Sequence, residues 1–134
     1  MARVGWVYVG GRARNKPSLA EKAAIIAACA AFITDVLKPR FLPLVRPREF
    51  NYPIAIHGKW HDNKYRFLTR YRSDDPGSVG PEFDAPFARL DYVGRDLFDL
   101  SWHRHTGEWV RQFERVSLAA ALHLIESETY FEPC

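Results

Sequence analysis

The sequence predicts an α+β protein: an antiparallel sheet of about five strands, with a long N-terminal helix and a short C-terminal helix packed on one face. Three observations favour this fold class. Apolar and polar residues alternate through the aromatic-rich stretch 87–113, a long alanine-rich run of helical spacing precedes it, and a serine-capped apolar stripe follows it. A chain of 134 residues is expected to form a single domain over positions 1–134.

Stretch 87–113 predicts three antiparallel strands joined by two tight turns. The turns are expected at Val93–Asp96 and His105–Glu108, and each carries a glycine, which reaches a positive φ without steric cost. Because side chains two apart on a strand share a face, each strand has one apolar and one polar face. The middle strand, for example, alternates Phe98 and Leu100 with Asp99 and Ser101.

A second hairpin is predicted earlier in the chain. Residues Tyr52–Trp60 and Lys64–Tyr71 alternate in the same way, and the polar run His61-Asp62-Asn63 between them is typical of a turn. The stretch Ser73–Asp84 contains prolines, glycines and acids and indicates a long loop.

The main helix is predicted over Ser18–Leu37. Ser18 and Glu21 have the spacing of a capping box, and Pro39 is expected to end the helix. One side of this helix is bulky and apolar, and the other is mostly alanine. A helix that is apolar all round needs a partner on both sides, so the alanine side predicts contact with the C-terminal helix or with a second subunit. Alternatively, alanine is there as the best helix former.

The chain ends are predicted less specifically. Ser117 can cap a last helix over residues 118–127. Residues 1–17 predict a possible edge strand followed by a basic connector. The two cysteines make no disulfide framework, which favours a reducing, cytoplasmic setting. No apolar run is long enough to span a bilayer, so no membrane partner is expected.

The charge is uneven. The net charge of the chain is only +3, but residues 1–50 alone hold nine lysines and arginines against three acids. Such an asymmetry is compatible with an anionic partner, including nucleic acid, or with head-to-tail contact in an oligomer.

The polar side of the sheet is the richest source of candidate ligand-binding residues. An anion site there would use arginine, whose planar fork suits phosphate and carboxylate. The alternative is a solvated face with cross-strand ion pairs such as Arg89 with Asp99. Trp109 and Phe113 follow the same alternation as Arg111, and Phe87 that of Arg89, as on sheets that stack nucleic-acid bases. The candidate residues are Arg66, Arg70, Arg89, Asp91, Asp99, Ser101, His103 and Arg111.

Catalytic and metal signals are weaker. His57, His103 and His105 could contribute to a metal site, but their spacing matches no specific metal motif. Asp99, Ser101 and His103 alternate on one strand without the sharp turn that presents a nucleophile. The sequence contains no phosphate loop or dinucleotide fingerprint, and no cofactor is expected.

Two long stretches carry a family resemblance. FNYPIAIHGKWHDNKYRFLTRYRS and PEFDAPFARLDYVGRDLFDLSWHRHTGEW, with a closing helix that ends near YFEP, resemble a family of small uncharacterised bacterial proteins known only as a domain of unknown function. The resemblance covers about the last two-thirds of the chain. It implies a bacterial cytosolic protein with a helix, an antiparallel sheet and a closing helix, and it carries no activity or catalytic residue.

These observations favour an uncharacterised, non-enzymatic binding or interaction module that forms a homodimer. One alternative is nucleic-acid or other anion binding through the basic N-terminal segment and the cationic sheet face. The other alternative is a small metal-dependent enzyme that uses the histidine and aspartate cluster.

Overall fold

A computed structural model describes residues 16–42, 51–73, 82–128 and 131, and it confirms the α+β class. The predicted N-terminal edge strand and most of its basic connector lie outside these residues. So do positions 74–81 of the predicted loop Ser73–Asp84. The other positions of that loop were predicted wrongly, because Ser73 and residues 82–84 belong to strands.

Five strands form one antiparallel sheet in the order of the chain, so every neighbouring pair is consecutive in sequence. Both predicted hairpin regions are confirmed. Asp62 and Asn63, in the turn between the first two strands, have φ values of 54° and 59°, as the two central residues of a tight hairpin turn require. The strands are β1 (Asn51–His61), β2 (Lys64–Ser73), β3 (Glu82–Gly94), β4 (Leu97–His103) and β5 (Trp109–Val116).

Two helices flank the sheet. Helix α1 comprises 23 residues, 19–41, and helix α2 is Leu118–Ser127. The predicted capping box is present, because the Glu21 amide donates to Ser18 Oγ at 3.1 Å and the Ser18 amide donates to Glu21 Oε1 at 3.2 Å. The Tyr92 hydroxyl donates to Glu21 Oε2 at 3.0 Å and so ties the start of α1 to β3. The hydrogen bond from the Ser18 amide is the main cause of a lowered Glu21 pKa, and the hydrogen bond from Tyr92 is the second.

The expectation that Pro39 ends α1 is wrong, because the helix continues to Phe41. A π-helical segment, Ile33–Leu37, precedes the proline, and the Lys38 amide bonds the carbonyl of Ile33 five residues back. Proline lacks an amide hydrogen and clashes with the carbonyl four residues before it in an α-helix. The π segment shifts the hydrogen-bonding pattern. Pro39 therefore lies in the first turn of the α-helical segment Lys38–Phe41, where proline is tolerated.

The core lies between one face of the sheet and the two helices. Helix α1 buries four residues spaced four apart: Ile25, Cys29, Ile33 and Leu37. Burial raises the pKa of the Cys29 thiol to about 12. Most of the alanine side of α1 is exposed, so within the described residues the C-terminal helix does not cover it: Ala23, Ala24, Ala27, Ala30 and Ala31 all face solvent.

Two aromatic side chains, Phe87 and Phe113, do not lie on the face that simple alternation predicted, because a β-bulge shifts each of them. Phe67 pairs with Ala88 and Leu68 with Pro86, which leaves Phe87 as an extra residue in β3. Phe87 is thereby turned into the core, where its ring lies 6.1 Å from that of Phe67. A second bulge in β5 pairs Phe113 with a buried residue of β4, so Phe113 packs against the core rather than beside Arg111. Simple alternation fails at both positions because each bulge inserts one residue.

Gly58 in β1 is required by a close approach. The ring of Tyr65, 3% exposed, lies directly over its backbone, in the space that a Cβ atom would fill. An aromatic side chain that covers a strand glycine shields that backbone from water and fixes the register of the hairpin.

We predict that Gly58→Ala destabilises the fold by about 1–3 kcal/mol, because the added methyl overlaps a buried ring that has little room to move. Urea denaturation followed by circular dichroism measures the change. The control is Gly94→Ala, where the nearest atom to the new Cβ, on Leu97, is 3.5 Å away. The control should change the unfolding free energy by no more than ~0.5–1 kcal/mol. Equal effects of the two substitutions would contradict this account of Gly58.

Candidate functional site

The strand register places all the predicted polar residues on the open face of the sheet, opposite the helices. Cross-strand partners share a face, and the pairings align one row of side chains across all five strands. The row consists of Lys59, Arg66, Arg89, Ser101 and Arg111. Lys59 was not among the predicted residues, although the alternation of β1 puts it on this face. Its place beside Arg66 depends on the register between the strands, which the sequence does not specify.

This cationic row (Lys59, Arg66, Arg89 and Arg111, with Ser101 between the last two) sets like charges side by side. Lys59 lies opposite Arg66, and Arg66 lies opposite Arg89. Neighbouring strands are about 4.8 Å apart, and like charges directly opposite each other destabilise a sheet. The arrangement therefore opposes folding slightly unless an anion lies between the cations.

Two members of the cationic row are neutralised. Arg89 forms a two-pronged ion pair with Asp91, with nitrogen–oxygen distances of 2.7 and 3.2 Å, and its guanidinium lies 4.7 Å from the centre of the Trp109 ring. Arg111 donates to Asp99 at 3.2 Å and lies 3.8 Å from Glu114. The ion pair expected between Arg89 and Asp99 is replaced by these two.

The other two members have no acidic partner. Arg66 Nη1 reaches the carbonyl of His61 at a long 3.4 Å, and Lys59 makes neither an ion pair nor a hydrogen bond among the described residues. The strand residues of the open face include seven lysines and arginines against four carboxylates. The face therefore carries an excess of positive charge, centred on Lys59 and Arg66.

Asp99 has a structural task. Its carboxylate accepts from Arg111 and also from the backbone amide of Arg115, at 3.0 Å. Arg115 sits in a bulge of β5 with φ of 55°, a conformation that side chains other than glycine rarely adopt. Asp99 satisfies the amide that this bulge removes from the sheet pairing. Asp99 and Ser101 are 8% and 2% exposed, so neither is presented to a ligand in solution.

A separate ion-pair cluster, formed by residues of β1, β2 and β3, lies on the open face. Asp84 Oδ1 accepts from Arg70 Nε and contacts His57 Nε2, both at 3.1 Å. The hydrogen bond from Arg70 is the main cause of a lowered Asp84 pKa. A carboxylate with a lowered pKa stabilises the fold above its unfolded pKa. The stabilisation is lost as the pH falls through the lower folded value. Arg70 is thus paired and differs from Arg66.

The three histidines that could have bound metal have different surroundings. His57 contacts Asp84, the His103 ring packs 4.9 Å from that of Trp109, and His105 lies in the exposed β4–β5 turn. Within the described parts of the chain, no three histidine, cysteine or acidic side chains come together as a metal site. In the same residues, no helix has the length and apolar character needed to cross a membrane.

The fold and this face define a small α+β protein built on a five-stranded meander, with one face covered by helices and one basic face open. Residues 17–132 match the profile of the family described as Domain of unknown function (DUF3024), and the chain belongs to that family. No curated protein and no solved structure matches the chain.

We predict that Asp99→Asn lowers the free energy of unfolding by about 1–3 kcal/mol, because a charged acceptor for the Arg115 amide and for Arg111 is lost from a nearly buried position. Urea denaturation again provides the measurement. The matched control is Asp62→Asn, at an exposed turn position of positive φ that suits asparagine, and it should stay within about 0.5 kcal/mol of the parent. An Asp99→Asn variant as stable as the parent would contradict the structural role.

Proposed function

We propose that the protein is a non-enzymatic module that binds nucleic acid through the cationic row of its open sheet face. The observation that carries this proposal is the in-register placement of Lys59 beside Arg66, the two cations of the row that have no acidic partner among the described residues. A binding module retains such repulsion when an anion relieves it, and phosphates along a nucleic-acid strand present anions at repeated intervals.

The same geometry indicates how the nucleic acid is held. The bulges turn Phe87 and Phe113 away from the open face, and the Arg89 guanidinium already packs against the Trp109 ring. The open face therefore offers few aromatic rings on which bases could stack, and we expect most contacts to be made with the phosphate backbone. Backbone contacts position a ligand without reading its sequence. Binding is accordingly expected to be strongly salt-dependent and nearly indifferent to sequence.

We predict opposite effects of Arg66→Gln on binding and on stability. Affinity for a fluorescein-labelled oligonucleotide should fall, and the salt dependence of log K should lose about one unit of slope, because one phosphate contact is removed. The free protein should become slightly more stable, by about 0.2–1 kcal/mol, because the like-charge neighbour of Lys59 is gone. Fluorescence anisotropy at low and physiological salt measures the first effect, and urea denaturation measures the second.

Arg95→Gln is the control, since Arg95 is exposed in the β3–β4 turn and lies outside the cationic row. It removes the same charge and should leave the salt slope unchanged. Single- and double-stranded probes of one length identify the preferred form. Absence of binding even at low salt, or equal losses in the Arg66 and Arg95 variants, would overturn the proposal.

As a second proposal, two copies of the chain pair through the alanine side of helix α1. The observation behind it is the exposure of five alanines on one side of this long helix, at spacings that allow a second helix to approach closely. Leu19, at the start of α1, is 86% exposed and would gain cover in the same contact.

For this second proposal, we predict a dimer in light scattering coupled to size exclusion and a monomer after Ala27→Glu. A carboxylate at the centre of the alanine side would be desolvated in the helix pair, whereas in the monomer it remains in water. Ala119→Glu, at an exposed position of α2, is the matched control and should leave the dimer intact. A parent protein that is monomeric at high concentration would contradict the pairing.

A further inference from the structure

A cavity lies where strands β3 and β4 diverge. The pairing between them extends only to Ala88 with Trp102, while the first part of β3 continues beside β2 and the end of β4 continues beside β5. The resulting cleft has a volume of about 400 Å³, which falls in the range of small-molecule sites. The β3 bulge at Phe87 helps to open it, because the strand bends at that point.

The walls of the cavity are aromatic. Tyr71, Phe87 and Trp102 line it from three different strands. Tyr71 and Phe87 are 6% exposed, so their positions are fixed by the core rather than by solvent. Aromatic walls of this kind favour an apolar aromatic ligand, which can stack on the rings or meet them edge to face.

The polar groups around the cavity favour an anion. Arg104 and His105 line it and, like His103, can donate hydrogen bonds, while none of the described lining residues is acidic. The Arg104 guanidinium forms no ion pair among the described residues, and only its backbone is engaged, with Glu108 and Gly107. A planar guanidinium that is not engaged in an ion pair is suited to a carboxylate.

We infer that this cavity binds a small aromatic carboxylate. The ring lies between Tyr71, Phe87 and Trp102, and the carboxylate pairs with Arg104. The site is separate from the cationic row, because its polar groups, His103, Arg104 and His105, come from the end of β4 and the β4–β5 turn and include neither Lys59 nor Arg66.

The test uses 1-naphthoate as the probe and uncharged 1-naphthamide as its comparator. Isothermal titration calorimetry should show naphthoate binding about tenfold more tightly, as a charge-assisted hydrogen bond provides. In Arg104→Gln the two probes should bind equally. Amide NMR shifts centred on Gly107 would locate the probe.

Arg95→Gln is again the matched loss of charge and should bind naphthoate like the parent. Oligonucleotide affinity should be the same with and without saturating naphthoate, so this site and the proposed nucleic-acid face can fail separately. No binding of either probe at millimolar concentration would overturn the inference. Equal binding of both probes by the parent, or an Arg104→Gln variant that keeps the preference for naphthoate, would also overturn it.

Discussion

The structure depends on the packing of Phe67 at the centre of the sheet. This side chain is fully buried, and its ring lies 6.3 Å from Phe32 of helix α1, 5.0 Å from Tyr65 of the same strand and 6.1 Å from Phe87 of β3. It therefore joins the helix to two strands. Its position also assigns the faces of the whole sheet, because one buried residue in β2 fixes the orientation of every second residue in the paired strands.

Most of the fold could be predicted from the sequence because its signals are local. The capping serine of α1, the turns at Asn63 and Gly107, and the alternation in β2 all act over a few residues, and the structure confirms them. In the turn between β3 and β4 the positive φ, 48°, belongs to Asp96 and not to the expected Gly94, which is the last residue of β3. The end of α1 could not be predicted in the same way. A proline normally ends an α-helix, and only the change to π-helical bonding before Pro39 allows this helix to continue.

The candidate site was predicted only in part, for a related reason. Alternation identifies which residues share a face, and so it identified the open polar face. It does not give the register between strands, which placed Lys59 beside Arg66 and gave Asp99 to the Arg115 bulge. The cavity was not predicted at all, because it arises from the divergence of two strands and from an inserted residue, Phe87, that looks like ordinary alternation.

Because the meander does not close, β1 and β5 are the outer strands of the described sheet. Outer strands can recruit strands from other molecules, which leads to aggregation. Here both are irregular. In β1 the register shifts beside Pro53, which cannot donate a hydrogen bond, and β5 has register shifts on both sides of Phe113 and a left-handed residue, Arg115. The bulge that Asp99 supports therefore also leaves β5 without the straight edge on which a strand of another molecule could pair.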